Sequence, residues 1–362
     1  MIKLLLWIPR SIFKTSYLVP FLFSGLLISC SQDPMGVEET DLSALQTEEA
    51  KGNKNLPATI NFTQPALYPE GVAYDARHDR FLVTSLRFGT IGQVSPSGDY
   101  SPFITDERLI STIGIKIDET RQRVLVAVSD PGAGVNTSPT TTGKLAALGI
   151  YDLRSGALIN FVDLGELRPE GSHFANDITL DPQGNAYVTD SFSPIIYKVD
   201  RDGNASVFFE DSAFATAPGQ FGFNGITYHP SGYLLVAFSA ANQIIRIPVR
   251  EPEAYEVVQL NVPLANPDGL LLSKDGKQLI VVNNANGGAS ARVLSFMSNN
   301  KWETGTLHAS YNTGAVFPTT ATAFKGEIFV LYAYLNKLFG GVMSPQSEFT
   351  IQKLPFTKNR PF

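Results

Sequence analysis

The chain repeats one short pattern six times. Five of the six copies open on a polar or turn-forming residue, and all continue with alternating or unbroken apolar residues. The copies are Glu70-Gly-Val-Ala-Tyr-Asp75, Ile113-Gly-Ile-Lys-Ile-Asp118, Asn176-Asp-Ile-Thr-Leu-Asp181, Asn224-Gly-Ile-Thr-Tyr-His229, Asp268-Gly-Leu-Leu-Leu-Ser273 and Thr319-Thr-Ala-Thr-Ala-Phe324. Several run through a glycine-bearing turn into a second strand, as in Asp181-Pro-Gln-Gly-Asn185 followed by Ala186-Tyr-Val-Thr-Asp190. Third and fourth strands follow in most units, for example Ile195-Ile-Tyr-Lys-Val-Asp200 and Ala205-Ser-Val-Phe-Phe209. The starts lie 43, 63, 48, 44 and 51 residues apart, close to the period of a four-stranded propeller blade. Long amphipathic helical periodicity is absent, which argues against a βαβ sheet or a helical solenoid. The reading is an all-β fold, a six-bladed β-propeller of four-stranded antiparallel blades.

Such a ring must close, because an open blade leaves a long unpaired edge. The sixth unit lacks one strand, and Ala58-Thr-Ile-Asn-Phe-Thr63 precedes the first unit unclaimed. The N-terminal strand is therefore predicted to complete the last blade. The 63-residue step carries an insertion, Asp130 to Gly143, rich in Gly, Pro, Ser and Thr. It is either a flap over one mouth of the channel or a mobile surface loop.

Ahead of the repeats lies a different kind of sequence. Lys3, Arg10 and Lys14 are followed by an apolar stretch from Tyr17 to Ser29 that stops at Cys30, the only cysteine. This is a signal-peptide layout, and the stretch is short of the roughly 20 residues that span a bilayer. Residues 1–29 are read as a lipoprotein signal peptide and Cys30 as the acylated N-terminus of the mature chain. A chain with one cysteine forms no internal disulfide. Residues 30–56 hold six acids, two lysines and few large apolar side chains, which predicts a disordered acidic tether. Residues 57–362 form the propeller, with no linker dividing it. The formal charge is −6 and no basic run occurs, so nucleic acid is not an expected partner. Expected instead are a small-molecule substrate, a membrane reached through the lipid, a cell-envelope location favouring the outer membrane, and a monomer.

In a propeller the innermost strands line the axis, so the first residues of the six copies converge near one end of the channel. Four of these heads, Glu70, Asn176, Asn224 and Asp268, carry carboxylate or amide oxygen. Hard cations such as Ca²⁺ take such ligands, whereas zinc favours His or Cys. Asn-Gly and Asp-Gly are also ordinary turn dipeptides. Glu70 is a poor turn residue in the same register, and it favours the cation.

Pro69-Glu70-Gly71, Phe174-Ala-Asn176-Asp177, Phe223-Asn224-Gly225 and Pro267-Asp268-Gly269 make the chain, from about residue 58 to its end, resemble the SMP-30/gluconolactonase group. Paraoxonases, calcium-dependent phosphotriesterases and strictosidine-synthase-like proteins are relatives of that group. The resemblance implies that Glu70, Asn176, Asn224 and Asp268 hold one divalent ion, usually Ca²⁺, with other divalent ions as alternatives. It also implies a hydrolase of lactone, ester or phosphoester type acting at the channel mouth. Asp268 is the first choice of base or nucleophile by resemblance. Asp177 is the second because it follows a ligand directly, and His173 is a candidate proton shuttle beside Asn176. Ile113 at the second head departs from the sugar lactonases, which place polar or basic side chains on that blade. The alternative reading is a non-catalytic propeller lipoprotein that binds a ligand or a protein at the cell envelope.

Overall fold

The repeated segments become inner strands because both of their faces are covered: Phe223–His229, for example, is buried along most of its length, while the outer strand Leu158–Asp163 is largely exposed. The computed structural model describes residues 55–341, 345–356 and 362, and Asn55–Phe362 form one compact unit. The predicted signal peptide, Cys30 and all of the predicted tether but residues 55 and 56 lie outside the described residues. Leu56, placed in the tether by composition, is buried in the core, and its carbonyl accepts a hydrogen bond from Lys353 Nζ at 3.2 Å.

Six small antiparallel sheets make a six-bladed β-propeller. The inner strands, Val72–Asp75, Ser111–Asp118, Ala175–Leu180, Phe223–His229, Pro267–Leu272 and Pro318–Phe324, each touch the inner strands of both neighbouring blades, so the ring is continuous. Blade six is built as expected: Thr59–Thr63 pairs antiparallel with Glu348–Lys353, from Thr59 opposite Gln352 to Thr63 opposite Glu348. Ile60 and Phe62 of that strand point into the core, while Thr59, Asn61 and Thr63 face outward. Blade five carries one strand more than expected. Gln259–Leu260, in the connection from blade four, lies parallel to the start of Thr304–Asn312.

The ends of the inner strands lock one blade to the next. Asp75 accepts from Arg80 Nε and Asp118 from Arg123 Nε, each at 3.0 Å. The same guanidinium groups donate onward to carbonyls of the next blade, Leu153 and Gly184. His229 bridges to Gly276 O in the following blade at 3.1 Å and stacks on Tyr233.

Candidate active site

Five of the six head residues sit in a β-bulge. In blades two to six the pairing of the first two strands slips between Thr112 and Ile115, Ala175 and Ile178, Phe223 and Ile226, Pro267 and Leu270, and Pro318 and Ala321. Two residues of the inner strand thus oppose one of its partner, and the first of each two is a head: Ile113, Asn176, Asn224, Asp268 or Thr319. A bulge bends the strand and re-aims that side chain. In blade one the regular strand starts only at Val72, and the Thr84 hydroxyl takes over the pairing by accepting from Glu70 N (3.3 Å) and Gly71 N (2.7 Å).

The glycines after the heads are not turn residues. A Cβ on Gly71 would lie 2.5 Å from Ile113 O, on Gly114 2.4 Å from Asn176 O, on Gly225 2.2 Å from Asp268 O, and on Gly269 2.7 Å from Thr319 O. Each lets its strand approach the head carbonyl of the next blade, which crowds the heads around the axis. Blade three has Asp177 at this position. Its carboxylate accepts from Ile178 N (2.8 Å) and, across to blade four, from Ile226 N (3.1 Å).

Glu70, Asn176, Asn224 and Asp268 border one cavity of about 260 Å³, with Ile113 among its walls. The four oxygen-bearing heads predicted from sequence therefore come together. The floor is polar and the walls divide. Leu86, Ile113, Phe174 and Phe221 form an apolar side, whereas Asn266, Asn284, Asn286 and Asn336 add amides, with Phe317, Leu335 and Phe339 completing the rim. No Lys, Arg or His borders it among the described residues.

Burial raises the pKa of both acids. Burial, then the negative charges of Asp268 and Asp177, hold Glu70 well above the usual carboxylate range. Burial pushes Asp268 up to about 8, partly opposed by the hydrogen bonds it receives from Asn284 and Asn224. Asn284 Nδ2 donates to Asp268 Oδ2 at 2.6 Å. Asn176 Nδ2 donates to Ser191 Oγ at 2.9 Å and Asn224 Nδ2 to Ser239 Oγ at 3.3 Å. Among the described residues no three His, Cys, Asp or Glu gather as a metal-binding group. The donor set that does gather is two carboxylates and two amides, and it fits a hard divalent cation: one ion would relieve the mutual repulsion of two buried acids.

Asp177 does not border this cavity. It faces a second one, of about 420 Å³, that also takes in Lys116, Asp118 and Asp181. Burial raises its pKa to about 6 against the opposing pull of the Ile178 and Ile226 amides and of Lys116. His173 lies inside the protein, 1 % exposed, and neither ring nitrogen is free: Nδ1 meets Asp190 Oδ2 at 2.7 Å and Nε2 meets Arg168 O at 2.8 Å. Tyr197 OH adds bonds to the same His173 Nδ1 and Asp190 Oδ2. Burial alone would lower the His173 pKa, but Asp190 reverses this and raises it. His173 braces the loop entering blade three and does not border the cavity. The 130–143 insertion folds around Asp130, whose carboxylate accepts from the Thr137, Thr141 and Thr142 hydroxyls. The loop is tied to blade one through Arg87, and none of its residues borders the cavity.

No family model and no curated protein sequence matches the chain. Solved structures do. The major Malassezia sympodialis allergen Mala s 1 superposes with a TM-score of 0.66 at 17% identity, over 83% of this chain and 96% of that one. The calcium-binding protein regucalcin from Agrobacterium tumefaciens gives 0.55 at 16%, over 83% and 94%. A gluconolactonase from Xanthomonas campestris gives 0.54 at 14%, over 82% and 89%. The shared feature is the fold. The propeller runs nearly the whole length of each of these proteins, so the similarity is one of architecture from end to end, and chemistry has to be argued from the cavity.

Proposed function

We propose that the protein is a divalent-metal-dependent hydrolase, with Ca²⁺ the expected ion, acting on a lactone, ester or phosphoester at the head end of the propeller channel. One observation carries the reading: four oxygen-donating side chains from four separate blades border a single cavity, and its two acids are protonated more readily than ordinary carboxyls. The calcium-binding and lactonase propellers named above support it through their shared fold.

Glu70, Asn176, Asn224 and Asp268 would hold the ion. When bound, it supplies a Lewis acid for the carbonyl or phosphoryl oxygen and stabilises the ionised form of the acids that hold it. Asp268 accepts the proton of the attacking water, the role that the family resemblance gives it. Asn284 fixes one oxygen of that carboxylate. The apolar side formed by Leu86, Phe174 and Phe221 limits competing water and holds the non-reacting part of the substrate. Asp177, pinned by two backbone amides facing the other cavity, contributes negative potential rather than contact.

The test is turnover by the full-length protein, purified in detergent, on aryl esters, lactones and phosphotriesters before and after chelation. Turnover lost with chelator, restored by Ca²⁺ and abolished in Glu70→Ala is the expected result. Turnover indifferent to chelation overturns the metal, and metal binding without any turnover favours the alternative, a ligand-binding propeller lipoprotein. We also propose that a lipid on Cys30 anchors the chain to a membrane, with its own assay: radiolabelled palmitate is expected to enter the wild-type chain and the chain the membrane fraction, and Cys30→Ser is expected to lose both.

A further inference from the structure

The groups that would hold the ion are themselves held by a second ring of side chains in matching register. Asn176 is bonded by Ser191, fifteen residues on; Asn224 by Ser239, fifteen on; Asp268 by Asn284, sixteen on. All three partners stand just past the second strand of their own blade, beside the bulge that carries the head, and all are buried. The two serines do a second job. Ser239 Oγ donates to Pro267 O at 2.6 Å, and Ser191 Oγ donates to Phe223 O, so each also fastens the carbonyl that precedes the head of the next blade.

The two jobs separate in blade two. Ser129 ends the second strand there and donates to Ala175 O at 2.8 Å, the same blade-to-blade bond. Its own head is Ile113, which offers nothing to orient. Ser129 keeps the fastening and lacks the contact with a head.

We propose that Ser191, Ser239 and Asn284 are positioning residues that set the donor orientation of the cation site. Ser191 and Ser239 engage the amide nitrogens of Asn176 and Asn224, which turns both amide oxygens away from the serines. Asn284 occupies one oxygen of Asp268, and its own Oδ1 is fixed by the Asn286 amide at 2.9 Å. The arrangement removes side-chain rotation before the ion arrives, so the cost of ordering is met during folding. This inference rests on the metal-dependent reading of the same site.

The experiment is Ca²⁺ titration by calorimetry on the chelator-treated full-length protein, with circular dichroism as the check on folding. Wild type is expected to bind, while Ser191→Ala, Ser239→Ala and Asn284→Ala each weaken binding by about 10-fold or more, the usual consequence of losing a group that orients a ligand. Ser129→Ala, losing only the fastening, is expected to stay within about 2-fold of wild type on the same reasoning. Asn284→Ala breaks no blade-to-blade side-chain bond, so it stays informative if a serine variant misfolds. Equal weakening in Ser129→Ala, or unchanged affinity in Asn284→Ala, overturns the proposal while leaving the metal site standing. A wild-type protein that binds no divalent ion overturns both.

Discussion

At the scale of the residue, the pair Glu70 and Asp268 dominates. A carboxyl whose folded pKa exceeds its unfolded value of about 3.9 binds its proton more tightly when folded. Its contribution to stability is full below that value and is lost as pH rises to the folded value, about 8 for Asp268. The ion-free protein should therefore melt at progressively lower temperature between about pH 4 and pH 8, and saturating Ca²⁺ should flatten that slope. Scanning calorimetry across this range, with and without chelator, checks the sign. Glu70→Gln removes one of the two like charges, so the ion-free variant should melt higher than wild type at pH 8 while its turnover falls by at least about 100-fold. Composition and register together made these acids visible, because Glu70 has no reason to begin a turn. Ser191, Ser239 and Asn284 were harder to see. Their signal is a polar residue closing the second strand of several blades, which reads as ordinary strand punctuation until the cavity shows what it touches. The surroundings of His173 were equally hidden: adjacency to Asn176 along the chain gave no hint that Asp190, Tyr197 and Arg168 enclose it.

At the scale of the element, the informative dipeptides are the head and its glycine. Asn-Gly and Asp-Gly are ordinary turn dipeptides, yet Gly225 and Gly269 lie inside strands and serve close approach between blades. The pattern was legible and its cause was not, since a steric limit set by a neighbouring blade leaves no local trace. Gly225→Ala would place a methyl 2.2 Å from Asp268 O. Overpacking of this kind costs about 1–3 kcal/mol, read as a lowered urea midpoint at unchanged m-value. Because the displaced carbonyl belongs to Asp268, Ca²⁺ affinity should fall in the same variant. Gly232, in the turn after the inner strand of blade four, makes a useful comparison: its φ of 87° is a turn conformation remote from the heads, so Gly232→Ala should lower stability without changing Ca²⁺ affinity.

At the scale of the molecule, period, blade number and closure were all readable, because alternation of apolar residues and regular spacing survive where individual contacts leave no mark. The added parallel strand at Gln259–Leu260 was not, being two residues long and paired with a distant partner. Ring closure makes a direct prediction. A chain beginning at residue 64 loses the buried side chains of Ile60 and Phe62, each about 1.5–3 kcal/mol of burial, and bares the edge of Glu348–Lys353. It should self-associate in sedimentation velocity at concentrations where a chain beginning at residue 55 stays monomeric.

Because the first of the described strands is hydrogen-bonded to the last, the final blade cannot form until Glu348–Lys353 has been made. The ring is thereby left open until late in the chain's production. Once shut, the same latch makes the circle only as durable as five paired residues: a force that peels Thr59–Thr63 from Glu348–Lys353 opens it.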